Sequence, residues 1–146
     1  MNLFGLLQIS GSALLAQRER AEMSASNLAN ADTTRTIEGG PYKRQNVIFA
    51  ASHPLSNGFS ATLASFTDIH TETVQVAGVV QDESAPLRRF DPGHPDADPT
   101  GYVNFPNVNP VEESVNLMEA ARSYQMNVSA IQTTKAMIQA AIQIAQ

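Results

Sequence analysis

The 146-residue sequence contains no cysteine. That absence removes disulfides, thiolate metal sites and cysteine nucleophiles together. It suits a cytosolic protein, and equally one that ends outside the inner membrane and is held together by assembly. Basic residues are also few, nine against fourteen acidic ones, and the net charge is −5. The closest basic pairs are Lys43-Arg44 and Arg88-Arg89. Neither makes the stripe that phosphate neutralisation requires, which argues against a nucleic-acid partner. Long apolar runs are missing as well. No stretch approaches the ~20 apolar residues that cross a bilayer, so no direct membrane span is expected. The N-terminal stretch has no basic residue before Arg18, and Gln8, Ser10, Gly11 and Ser12 break its apolar run. A secretory signal needs a basic start and an unbroken apolar core, so no cleaved signal peptide is expected.

Proline is absent from both ends and concentrated between them. Residues 3–31 hold none, all eight lie in 32–110, and 111–146 has neither proline nor glycine. This punctuation predicts an N-terminal helix over 1–31, a middle β-rich domain over 32–110 and a C-terminal helix over 111–146. The fold class is therefore α+β: long terminal helices forming a coiled-coil-like core, with a small β domain inserted between them.

In the C-terminal segment Leu117, Ala121, Tyr124, Val128, Ile131, Lys135, Ile138, Ile142 and Ala145 recur at spacings of four and three. That is a heptad seam broken only by Lys135. Pro110 suits the first helical position, Asn109 suits the N-cap, and Glu112 and Glu113 favour the positive end of the helix dipole. Thirty-six helical residues reach about 54 Å, longer than a small globule uses unless something lies along them. The N-terminal stripe is thinner. Leu7, Leu14, Ala21 and Leu28 recur every seven residues, with small residues such as Gly11, Ala13, Ala16, Ala25 and Ala29 between them. Such a stripe is marginal in isolation, so this helix is expected to be poorly ordered until a partner covers it. Apolar helix surface left over by one partner implies another, which favours assembly over a closed intramolecular hairpin.

In the middle, Tyr42–Phe49 follows a Gly-Gly-Pro turn signal and Val74–Val80 begins by alternating; both read as strands. Leu87–Phe90 and Tyr102–Phe105 are shorter candidates. Six of the eight prolines fall in 86–110, which reads as a stiff connector rather than a sheet interior.

The densest chemistry is D-P-G-H-P-D-A-D-P-T-G, Asp91 to Gly101. Asp91, His94, Asp96 and Asp98 invite the alternative of a metal-dependent enzyme or metal-binding domain centred on Asp91–Asp98. Against it, no bidentate glutamate stands at the right distance, and Pro92, Pro95 and Pro99 keep the backbone from wrapping an ion. The favoured reading is a rigid turn whose aspartates cap backbone N–H groups. His53 and His70 stand alone among polar neighbours and read as surface or packing residues. No nucleotide-binding, P-loop, nucleophile-elbow or zinc-protease motif occurs. No catalytic residue, metal site or cofactor is expected.

Longer stretches then match something familiar. Ser12–Thr34, with S-N-L-A-N-A (Ser26–Ala31) as its most specific part, resembles the N-terminal signature of the bacterial flagellar rod and hook axial proteins. Gly40–Phe49, Asp91–Glu113 and Ala120–Met137 are similar to the proximal-rod members. On this resemblance Asn27, Ala29, Asn30, Asp91, Pro92, Gly93, His94, Pro95, Gly101 and Tyr102 are signature positions. The poorest match is 50–72, where Ser52–Thr62 looks like variable loop.

The resemblance implies a structural protein and no enzyme. It implies export through the flagellar type III apparatus without cleavage, and assembly into the rod that crosses the periplasm in the basal body. The partners it implies are further copies of the chain, other rod proteins, rod-base and MS-ring components and the export apparatus, in a helical hetero-oligomer that serves motility. Leu7, Leu14, Ala21 and Leu28 are then expected to dock against neighbouring seams of Leu117, Tyr124, Val128, Ile131, Ile138 and Ile142. Asn27 and Asn30 are expected to cap the first helix locally or to bond across chains, the local cap being favoured, and Asp96 or Asp98 to touch a neighbour.

Overall fold

Two long helices enclose two short antiparallel ribbons in the computed structural model, which describes residues 3–52 and 72–144. In chain order the elements are α1 (Leu3–Ala29), β1 (Gln45–Ser52), β2 (Thr73–Gln81), β3 (Leu87–Phe90), β4 (Tyr102–Phe105) and α2 (Pro110–Ile144). The α+β class and its element order agree with the sequence. His53, His70, Ala145 and most of Ser52–Thr62 lie outside the described residues.

Each helix boundary has a local cause. At the start of α2, Asn109 Oδ1 accepts a hydrogen bond from the N–H of Val111 at 3.1 Å, and its carbonyl accepts one from Glu113 at 3.0 Å. Asn109 is thus the N-cap and Pro110 the first helical residue, as the sequence predicts. The 35 residues of α2 extend about 53 Å. α1 ends where the side-chain amide of Asn30 turns back on the carbonyl of Ser26 at 2.9 Å. The chain then reverses through a tight loop. Gly39 (φ 88°) and Gly40 (φ 79°) take left-handed backbone there, and Tyr42 N–H donates to the Thr33 carbonyl at 3.0 Å.

β1 pairs with β2 from Gln45↔Gln81 to Ser52↔Thr73. The register slips between Ile48 and Phe49 so that Ala77 has no partner. This bulge resets the side-chain alternation along the ribbon. Both strands lie against α1, and Val74 N–H donates to Ser12 Oγ at 3.2 Å. β3 and β4 pair from Leu87↔Phe105 to Phe90↔Tyr102. Among the regular elements these two touch only each other.

β3 and β4 take the bounds read from the sequence, inside the proline-rich stretch 86–110. Its prolines stand outside both ladders, before β3, in the loop, after β4 and at the start of α2. In a two-stranded ribbon each strand is an edge, and edges tolerate flanking prolines.

α1 and α2 pack along each other within one chain. The interior between them is neither large nor mainly apolar. Among the described residues the buried apolar side chains are Ala16 and Ala120 in the helices, Ala31 just after α1, and Val103, Phe105, Pro106 and Val108 in and after β4. Beside them Ser10, Ser24, Asn27, Glu113 and Thr134 are buried as well. Alanine contributes about 0.8 kcal/mol per methyl-sized group removed from water. Small contacts of this kind hold the helices close without fixing a unique register.

Candidate functional site

The register is fixed by polar groups at one end of the helical hairpin. Asn27, near the end of α1, is 1% exposed, and Glu113, in the first turn of α2, is equally buried. Asn27 Nδ2 donates to Glu113 Oε2 at 3.2 Å and to the Gln45 carbonyl at 2.8 Å. Its Oδ1 accepts from the Gln45 N–H at 2.9 Å and from the Tyr42 hydroxyl at 2.9 Å. Two donors and two acceptor sites are the full capacity of an asparagine amide, and all are used. The paired bonds to Gln45 also fix which atom is oxygen and which nitrogen.

The other carboxylate oxygen of Glu113 receives Arg44. Nε and Nη2 converge on Oε1 at 2.7 and 2.6 Å. A buried carboxylate needs such a partner, because removing a charge from water costs several kcal/mol unless it is paired and hydrogen-bonded. Arg44 also reaches the more exposed Glu112 at 3.4 Å. About two turns further along, Arg20 of α1 bonds Glu119 of α2 at 3.0 Å and lies 3.5 Å from Asn116 Oδ1. Three elements therefore meet at one point: the end of α1, the chain entering β1, and the start of α2.

This placement corrects the expectation for Asn27, which caps nothing locally. Asn30 does bond locally, to Ser26. Ala29 is exposed. The residues that sequence reasoning missed are Tyr42, Arg44 and the partnering role of Glu113. Arg44 and Glu113 stand 69 positions apart, so no local pattern links them.

The predicted seams fall beside the buried line rather than on it. In α2 the side chains at the hairpin interior are Glu113, Ala120 and Thr134, with half-buried Asn127 completing a step of seven. Leu117, Val128, Ile131 and Ile138 flank them half-buried, while Tyr124 and Ile142 are exposed. In α1 Leu7, Leu14, Ala21 and Leu28 are all half-buried.

The opposite face of α2 carries Val111, Val115, Met118, Met126, Met137 and Ile144, all exposed. At 100° per residue these fall within one stripe about 100° wide, which a globule normally turns inward. Within this stripe the charged positions are Glu119, at its edge, and Arg122.

The Asp91–Gly101 loop joins β3 to β4, so it leads into α2 only through β4. Asp91 N–H donates to Gly101 O at 2.9 Å and Asp98 N–H to Tyr102 O at 2.8 Å. Gly101 is left-handed, and a Cβ there would stand 2.8 Å from Phe90 Cε2 and 3.3 Å from Pro92 Cβ. Glycine is required on both counts. The cap predicted from aspartate comes instead from histidine: His94 Nδ1 accepts from the Asp96 N–H at 3.1 Å. Its ring meets Phe105 edge-on at 5.9 Å. Asp96 accepts from Thr34 Oγ1 at 2.8 Å and lies 3.8 Å from Arg35. Asp98 lies 3.6 Å from Arg88. Pro92, Gly93 and Pro95 are exposed along the loop, and Tyr102 stacks edge-on against Phe90. The Asp96 and Asp98 carboxylates thus face different partners. Among the described residues no three His, Asp or Glu side chains gather as an ion would need.

Comparison with known proteins places these features in a family. A family model described as "Flagella basal body rod protein" matches residues 7–35, and one described as "Flagellar basal body rod FlgEFG protein C-terminal" matches 100–144. The flagellar basal-body rod protein FlgC of Borreliella burgdorferi is 38% identical over 100% of this chain and 99% of its own length. The chain belongs to the FlgC family. The FlgC of Escherichia coli O6:H1 is 41% identical over 94% of each chain, and that of Bacillus subtilis 38% over 99% of each. FlgC proteins are structural components of the flagellar basal-body rod, so the resemblance first seen in S-N-L-A-N-A holds and the enzymatic alternative has no support. The two matched stretches hold the two ends of the buried bond, Asn27 in one and Glu113 in the other. Among the described residues no helix is long and apolar enough to cross a membrane.

Proposed function

We propose that this chain, a structural subunit of the flagellar basal-body rod, enters the rod through the outer faces of its two helices. The terminal helices, 1–31 and 111–146, form the rod core and 32–110 is the outer domain. The observation that carries this reading is the exposed stripe Val111, Val115, Met118, Met126, Met137 and Ile144 on the side of α2 turned away from α1. Intrachain packing uses the small and polar line of α2 and leaves its apolar stripe for neighbours. Each large apolar side chain covered by a neighbour contributes roughly 1.5–3 kcal/mol, so several per subunit make extraction under torque slow. The neighbours are further copies, other rod proteins and the rod base with its MS ring. Delivery is through the flagellar export apparatus without signal cleavage, and the assembled rod crosses the periplasm as the proximal part of the drive shaft.

The test is to place a charge on the stripe without touching the hairpin interior. Met118→Glu and Met126→Glu are expected to leave helix content and melting temperature of the free chain unchanged while the protein disappears from purified basal bodies and swimming is lost. Normal incorporation of the double variant overturns the reading.

A further inference from the structure

We propose that the Asn27–Arg44–Glu113 junction is a brace that sets the angle between the helical hairpin and the strand module. Torque would pass between helices and module through this brace. The inference rests on the rod-subunit reading and deepens it by naming the residues that position the outer part of the subunit on the shaft.

The module joins the hairpin by two covalent connections, residues 30–44 after α1 and residues 106–109 before α2. Both enter within one helical turn of the junction. Contact also exists elsewhere, since β1 and β2 lie on α1 and Val74 N–H donates to Ser12 Oγ at 3.2 Å, but that bond is exposed and the rest is built largely from exposed and half-buried residues. Apolar contacts have no preferred direction and allow sliding. Charge-assisted hydrogen bonds have both length and angle to satisfy. The directional contacts of the hairpin with the segment entering β1 converge on Asn27 and Glu113. Asn27 grips both main-chain groups of Gln45, the first residue of β1. Arg44, the residue before it, is gripped by Glu113 with two nitrogens on one oxygen. Adjacent residues of the entering chain are thus fixed from two different helices, which resists rotation about either helix axis.

The absence of cysteine allows a direct measurement on the full chain. Spin labels at Met126→Cys on α2 and Val80→Cys on β2, both exposed, report the distance between hairpin and module. A single narrow distance distribution is expected. Glu113→Gln, which keeps the side chain's size but removes its charge, is expected to broaden that distribution while helix content stays constant. Glu119→Gln, at the exposed Arg20 pair, is expected to leave it narrow. Should Glu113→Gln fail to fold, Tyr42→Phe removes a single bond to Asn27 and is expected to broaden the distribution to a lesser degree. A distribution that stays narrow in whichever variant folds, or that is already broad in the unsubstituted pair, overturns the brace.

A second arm separates failure of the brace from failure of the rod reading. Folded brace variants in cells are expected to appear in basal bodies in normal amount and to lose rotation first in viscous medium. Absence of the unsubstituted chain from basal bodies counts against the rod reading. Unchanged rotation at every viscosity counts against the brace.

Discussion

The side-chain amide of Asn27 and the carboxylate of Glu113 stand 86 positions apart in sequence and meet at 3.2 Å in the interior. The contact joins the two ends of the chain's helical architecture. It lies where an apolar core would normally do this work, while Val111, Val115, Met118, Met126, Met137 and Ile144 of α2 are exposed.

Asn27→Asp preserves size but turns two donors into acceptors. The Gln45 carbonyl and Glu113 Oε2 would then face a carboxylate oxygen. Leaving buried groups unpaired and placing like charges together is expected to cost about 2–4 kcal/mol, read by urea unfolding. Adding Glu113→Gln is expected to recover part of that loss, because the pair acts as one unit. Asn30→Asp, which disturbs only a bond to Ser26, is expected to cost about 1 kcal/mol or less.

Gly101 and Gly93 occupy one loop and are expected to respond differently to alanine. At Gly101 the backbone is left-handed and the added carbon meets Phe90 at 2.8 Å. The expected cost is about 1–3 kcal/mol in thermal unfolding. At Gly93 the nearest atom would be Asp91 Oδ1 at an ordinary 3.8 Å, so Gly93→Ala is expected to change little.

Gly11 lies inside α1, and a Cβ built there meets nothing within 4 Å. Alanine is expected to stabilise the free chain by roughly 0.5–1 kcal/mol through helix propensity, seen as a higher melting temperature. A lower one would mean that Gly11 is needed within the chain itself.

Asp82 accepts hydrogen bonds from both the hydroxyl and the N–H of Ser84, and these hold its carboxyl below the usual aspartate range. A carboxylate depressed in the folded state adds stability that is complete above its unfolded pKa and lost as pH falls through the folded one. Ser84→Ala is therefore expected to move the Asp82 titration, followed by NMR, upward toward the ordinary value, and to flatten that acid-side loss.

Much of the fold could be read from the chain. Proline and glycine placement gave both helices, Asn109–Pro110 gave the start of α2, and β3 and β4 were legible to the residue. The seams were harder. The register Leu117–Tyr124–Val128–Ile131 reads in the sequence as a surface for neighbouring subunits. Here the line that packs is Glu113, Ala120 and Thr134, because small side chains let the helices approach closely. The junction was hidden for another reason. Tyr42, Arg44 and Glu113 look like a turn residue, a scattered base and a dipole partner until the fold brings them together. S-N-L-A-N-A marked Asn27 through family resemblance, and only the contacts show why an amide is needed there.

The most direct test of the central claim is a density map of the intact basal body that resolves this subunit's α2. The account predicts that Val111, Val115, Met118, Met126, Met137 and Ile144 are covered by helices of neighbouring axial subunits. A map in which this stripe faces solvent, while neighbours touch the chain only through its strands, contradicts it.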